Sequence, residues 1–332
     1  MDRQTRYAAL FLLLVPGPLA EVLSQNVQLL TYLQPVPFLL VTLTYGVPVL
    51  VIRELAVARK LDDLGLIVLG LAYGILNEGV LAKTLTLPEG APLHDFAGYG
   101  KVGSIQGGWS LFIIVWHALH SVFYPVVMAR WMFPTTASRR WFAAGRTRWV
   151  LYVLLILVAC LYALYFLNPL RNDPTIFAFY AVATAALVAA ALKLCRSREI
   201  PSPSGARQAS WLPALLGACM IAFYFFQFWA PGHFPFGLYL VVSSCIIGVV
   251  VAALIRGRWK AVPDWLLFGL GDYLTFCIFS ALLCVVTDRN PAQALAAMAL
   301  ILAGIVYLIQ AVQRRPMGRG VSQPAHLAED IQ

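Results

Sequence analysis

Charge is scarce in this chain: of 332 residues only 15 are Asp or Glu and 24 are Lys or Arg, 12% in all. Soluble domains carry about 25% charged residues. With 61% of positions hydrophobic and a mean hydropathy of +0.77, a water-soluble globular enzyme and a disordered chain are both excluded. Cysteine is thin and poorly spaced for chemistry. Cys160, Cys195, Cys219, Cys245, Cys277 and Cys284 stand singly in or beside apolar segments. No CxxC or CxxH occurs, so neither a zinc ribbon nor a disulfide framework is indicated, and the thiols read as small hydrophobes. Period-two alternation is absent, which excludes barrel strands. A basic patch interleaved with aromatics is absent too, which excludes a nucleic-acid partner.

What remains is a set of long apolar runs. Windows able to cross a bilayer fall at 7–24, 37–52, 64–85, 109–130, 149–168, 175–195, 211–230, 235–255, 264–287 and 292–312. The chain therefore reads as an all-α, polytopic helical membrane protein of about ten transmembrane helices. Arg3 and Arg6 could open a signal peptide cut after Ala20, but Pro16 and Pro18 disturb so short an apolar region, and the first window reads as a retained helix. Of the 24 basic residues, only Lys83, Lys101, Arg171 and Arg289 fall in one set of alternating loops, and the remaining 20 fall in the other. This asymmetry puts both termini on the cytoplasmic side of the membrane. Residues 1–135 form a four-helix half carrying most intramembrane polar groups, and 136–148 a basic cytoplasmic linker. Residues 149–312 form a blander six-helix half, and 313–332 a frayed tail. The two halves show no internal similarity of the kind inverted-repeat transporters carry.

An ionisable side chain at bilayer depth costs several kcal/mol and so needs a reason. Five stand out: Glu21, Glu78, His117, His120 and Asp272. At 1.5 Å per residue Glu78 lies about 5 Å to the outer side of its helix midpoint, and His117 and His120 straddle theirs. Consecutive helices are expected to be neighbours, so Glu78 should meet both histidines. Ser121 and Tyr124 continue the histidine face at i+4 from each. Gly70, Gly74 and Gly79 let a neighbouring backbone come close. Tyr73 and Asn77 line a polar stripe beside Glu78, and Lys83 is placed to snorkel to the headgroups. A Glu held by one His can activate water, with the second His as acid or oxyanion donor. The same residues could instead be interhelical glue, or could hold zinc through Glu78, His117 and His120 with one open position. No cofactor is otherwise implied. Glu21 could reach the same site or face headgroups, and Asp272 could serve proton coupling or a plain interhelical bond. Arg53 and Glu54 need no more than a local ion pair, and His233 and His326 are given no role.

At these positions the sequence resembles the glutamate-type intramembrane proteases, the CAAX protease and bacteriocin-processing family. Glu78-Gly79-Val80-Leu81-Ala82-Lys83 keeps the register of that family's E-E-x-x-x-R, with Gly79 for the second Glu and Lys83 for Arg. Trp116 stands four before His120, with Trp where that family's F-x-x-x-H has Phe, while the family's further H-x-x-x-N/D is not present. The resemblance covers residues 70–125 and implies a glutamate and histidines that activate water to cut a peptide bond within the membrane. EVLS at 21–24, the YG and IRE of the second helix and AYGILNEG at 72–79 also resemble an uncharacterised group of bacterial membrane proteins, which implies no activity. The expectation is a membrane-embedded hydrolase acting on a membrane-protein or lipid-like substrate, with Glu78 as base. A proton-coupled small-molecule transporter and an assembly subunit of a membrane complex are the alternatives.

Overall fold

The computed structural model describes residues 2–24, 26–86, 96, 98–142, 174–195, 212–256 and 262–286, with scattered positions at 145–156 and 292–307. Among the described residues, besides a single turn at Leu29–Tyr32, the α-helices are α1 (Arg3–Leu14), α2 (Pro35–Arg59), α3 (Asp63–Ile75), α4 (Gly107–Trp116), α5 (Tyr124–Met132), α6 (Pro174–Leu194), α7 (Leu212–Ala218), α8 (Met220–Trp229), α9 (Phe236–Arg256) and α10 (Val262–Val286). Among the described residues, six continuous helical stretches are long and apolar enough to cross a membrane: Arg3–Val22, Pro35–Arg59, Asp63–Leu81, Gly107–Met132, Pro174–Leu194 and Leu212–Gly232. Helices α9 and α10 coincide with the windows expected at 235–255 and 264–287. The windows at 149–168 and 292–312 lie largely outside the described residues.

Local sequence sets the ends. The Asp2 carboxylate accepts the Thr5 amide at 2.8 Å and caps α1, and Asp62 does the same for α3 through Gly65 at 2.8 Å. Pro35 opens α2, where its missing N–H costs nothing, and Lys60 closes it in the left-handed region at φ 53°. A small antiparallel hairpin pairs Lys101–Val102 with Ile105–Gln106 and marks one end of the bundle. The opposite end is fastened by charge. Buried Arg53 pairs with Glu54, donates to the carbonyls of Thr136 (2.8 Å) and Ala137 (2.9 Å), and lies 3.6 Å from the Trp141 ring centroid. Glu54 in turn accepts the backbone amides of Trp141 and Phe142. The local ion pair expected of Arg53 and Glu54 is thus also a clamp on the loop that follows α5. Arg130 and Asp63 add a second tie at 2.6 Å.

Three stretches depart from α-helix. Pro18–Val22, Leu76–Leu81 and His117–Phe123 are π-helical, closed by bonds such as Leu23 N to Pro18 O (3.0 Å) and Ala82 N to Asn77 O (2.7 Å). One has a proline as cause. Pro125 has no N–H for the Ser121 carbonyl and its ring crowds that turn, so the helix widens and Tyr124 bonds back to Leu119. Pro18 opens the π-turn at the end of α1. Turns of this kind concentrate at functional sites, and here they carry Glu21, Glu78, His117 and His120.

Candidate functional site

Helix α3 touches α4 and the π-turn that continues it through backbone, and this registers the site. A Cβ on Gly70 would lie 2.8 Å from Ala118 Cα, and one on Gly74 would lie 3.0 Å from Ile114 Cα. Only glycine admits so close an approach. One turn beyond the seam, Glu78 and His117 meet. His117 Nε2 is 2.7 Å from Glu78 Oε1, and its Nδ1 is 2.8 Å from Ser121 Oγ. Asn77 Nδ2 donates to the same Glu78 oxygen at 2.9 Å, and the Thr84 hydroxyl donates to Oε2. Trp109 Nε1 donates to Thr84 at 3.0 Å and holds it in place. Glu78 and His117 are 5% and 1% exposed, so the pair is buried, and both carboxylate oxygens have a hydrogen-bond partner.

His120 does not join them. It faces Asp272 on α10, with Nε2 3.4 Å from Oδ2. The expected grouping of both histidines around Glu78 assumes α-helical spacing. Within the π-turn there are more residues per turn, so positions three apart diverge around the axis while i and i+4 align. That is why Ser121 still reaches His117 and Tyr124 still lies beside His120, with ring centroids 5.3 Å apart. Asp272 accepts Tyr124 Oη at 2.5 Å on one oxygen and Tyr224 Oη at 2.8 Å on the other. His120 donates Nδ1–H to the Trp116 carbonyl at 3.3 Å, and the Trp116 indole stacks on its ring at 3.6 Å. His120 and Asp272 are both 0% exposed. An apolar cleft between α5 and α10 has Tyr124 and Tyr273 in its wall, so one phenol ring separates it from Asp272.

Glu21 lies near the first pair. It accepts Tyr45 Oη and Asn26 Nδ2, and it is within electrostatic reach of His117 and Glu78. Tyr45 and Tyr73 flank the His117 ring at 5.7 and 5.9 Å. Lys83 is buried against protein, 8% exposed, and takes a left-handed turn, φ 61°, just past the end of the π-helix. The grouping of Glu78, His117 and His120 proposed for zinc is not formed, and among the described residues no three His, Cys, Asp or Glu are spaced to hold a metal ion.

Sequence reasoning missed Tyr45, Thr84, Trp109 and Tyr224. Tyr45 carried a signal, in the YG that the chain shares in resemblance with other membrane proteins. Tyr224 carried none, for it stands in the run AFYFFQF beside Phe225, which is 58% exposed. No curated protein and no solved structure matches the chain, and nothing supports the protease resemblance of residues 70–125. A family model does match, over residues 10–314, and the chain belongs to that family, an uncharacterised family of membrane proteins.

Proposed function

We propose that the protein is a proton-coupled transporter of the bacterial inner membrane, with Glu78–His117 and Asp272–His120 as two proton-holding stations. The observation that carries this reading is that a single π-turn, His117–Phe123, offers two histidines to two buried carboxylates on different helices. Buried charge is costly and marks ion or proton paths when it is paired in this way. The first pair can change its proton count without losing a bond. With Glu78 ionised and His117 neutral, Nε2–H donates to Glu78 and Ser121 donates to Nδ1. When Nδ1 gains a proton, the Ser121 hydroxyl rotates and accepts. At the second pair His120 spends Nδ1–H on Trp116, and its Nε2 lies 3.4 Å from both Asp272 Oδ2 and the Tyr224 hydroxyl, whose proton can turn to either the imidazole or the carboxylate.

A general base for hydrolysis needs a carboxylate lone pair turned to water, and here Thr84, Asn77 and His117 occupy Glu78. One observation favours the hydrolase as second reading: His117 is oriented at both nitrogens, as a catalytic base is. Its substrate would then be a membrane protein or lipid-like molecule. The test is reconstitution into vesicles loaded with a pH-sensitive dye, with a potassium–valinomycin potential to drive protons inward. Wild type should acidify the lumen faster than protein-free vesicles, and Glu78→Gln and Asp272→Asn should each abolish the difference. Wild-type flux equal to that of empty vesicles would overturn the transporter reading. Destabilised variants with no flux in any form would make the pairs structural.

A further inference from the structure

Glu21 is a buried carboxylate that neither station uses, and it is wired toward both the surface and the first station. Its Oε2 accepts Asn26 Nδ2, and Asn26 is an exposed residue in the turn after the first helix. Its Oε1 accepts the hydroxyl of Tyr45, whose ring lies 5.7 Å from that of His117, tilted by 31°. His117 and Glu78 both act on Glu21 electrostatically, so the three titratable groups occupy one neighbourhood. Among the described residues, the other groups that bond Glu21 or the carbonyl beside it are neutral: Tyr45 from α2, Asn26 from the turn, and Trp116 of α4, which donates to the Ala20 carbonyl at 3.2 Å. Exposure falls along the path, from exposed Asn26 through Glu21 at 9% to His117 at 1%. The π-turn at Pro18–Val22 is what turns Glu21 into this position at the end of its helix.

We infer that Glu21 is the port of the proton route at the hairpin end of the bundle, and that Tyr45 is the positioning residue that holds it against His117. A proton arriving from the aqueous phase neutralises the Glu21 carboxylate. It then passes to the Glu78–His117 pair, and the carboxylate is regenerated for the next one. Charge and atoms balance, because one proton enters and one moves on. This inference rests on the transporter reading, and its test separates the two.

The experiment is time-resolved infrared spectroscopy of the full chain in sealed vesicles after a step in external pH. The Glu78 carboxyl band is identified by its loss in Glu78→Gln. In wild type the band should follow the step. In Glu21→Gln it should follow at least tenfold more slowly, and in Tyr45→Phe, which keeps the ring against His117, also several-fold more slowly. Gly248→Ala, at an exposed position of α9 away from both stations, should leave the rate unchanged, and thermal unfolding of Tyr45→Phe confirms that the variant is folded. If the wild-type Glu78 band never responds, the transporter reading fails with the inference. If it responds and Glu21→Gln and Tyr45→Phe match wild type, Glu21 is not the port and the transporter reading stands.

Discussion

Gly70→Ala should destabilise the protein through one contact whose size can be worked out. The new Cβ would lie 2.8 Å from both Cα and O of Ala118, where ordinary contact begins at 3.4 Å, so the α3–α4 seam must open by about 0.6 Å. Overpacking of this kind costs about 1–3 kcal/mol, and rigid backbone on the far side argues for the upper end. Better helix propensity returns about 1 kcal/mol, leaving a net loss of about 2 kcal/mol. Gly248→Ala provides the comparison: it sits exposed within α9 with nothing within 4 Å of the added carbon, so only the propensity gain applies. The two variants should therefore differ by about 3 kcal/mol. Because the clash is with backbone atoms of residue 118, adding Ala118→Gly should not relieve it. Unfolding in mixed micelles by a denaturing detergent, followed by tryptophan fluorescence, gives the ranking. Gly70→Ala as stable as Gly248→Ala, or rescue by Ala118→Gly, would refute the seam.

The same measurement tests the other contacts. Tyr224→Phe removes one of two phenol donors from buried Asp272 and should cost about 1–3 kcal/mol, with double loss alongside Tyr124→Phe exceeding either alone. Arg53→Ala strands Glu54 and two loop carbonyls and should cost about 3–5 kcal/mol. Arg53→Lys should not restore it, since an ammonium cannot reproduce the fork and the stack on Trp141; protease cleavage near residues 137–142 reads out the freed loop. At the start of α1 the amide of Thr5 holds the Asp2 carboxyl below its usual range. A lowered folded-state value gives a contribution that is complete above the unfolded value of 3.8 and is lost as pH falls through the folded one. Amide exchange at Thr5 should therefore accelerate under acid in wild type, and Asp2→Ala should exchange fast at every pH.

Apolar runs and helix depth were legible because each window carries its own hydropathy and neighbours in sequence pack together. Glu78 and His117 meet for that reason, as their levels and the Gly70–Gly74 step suggested. His120 was misplaced because period 3.6 was carried through a π-turn. Pro125 was the visible clue, but a proline announces a disturbance without saying whether a helix kinks or widens. The Asp272 site was illegible for another cause: it joins α5, α8 and α10, and nothing in a single sequence says which distant helices touch. The Arg53 clamp fails in the same way. Its ion pair is local, while its acceptors are carbonyls of Thr136 and Ala137, and carbonyls leave no mark in a sequence.

The glycines also say where the bundle is stiff. Between α7 and α10, a Cβ on Gly217 would lie 1.9 Å from the Phe268 carbonyl oxygen, and one on Gly271 would lie 2.0 Å from that of Ala214. These two helices are therefore locked backbone to backbone, as α3 is to the helix of His117. Contact between the two locked pairs is of a different kind. Gly269 meets the ring of Tyr124 at 3.0 Å, and His120 and Asp272 stand 3.4 Å apart. Side chains can turn where backbones cannot, so relative movement costs least along the Tyr124–His120–Asp272 boundary. Such movement would leave the 2.7 Å Glu78–His117 bond intact while changing the 3.4 Å approach of His120 to Asp272. A carrier of the kind proposed above needs that asymmetry, with one proton site fixed in its frame and one that responds when the frame shifts.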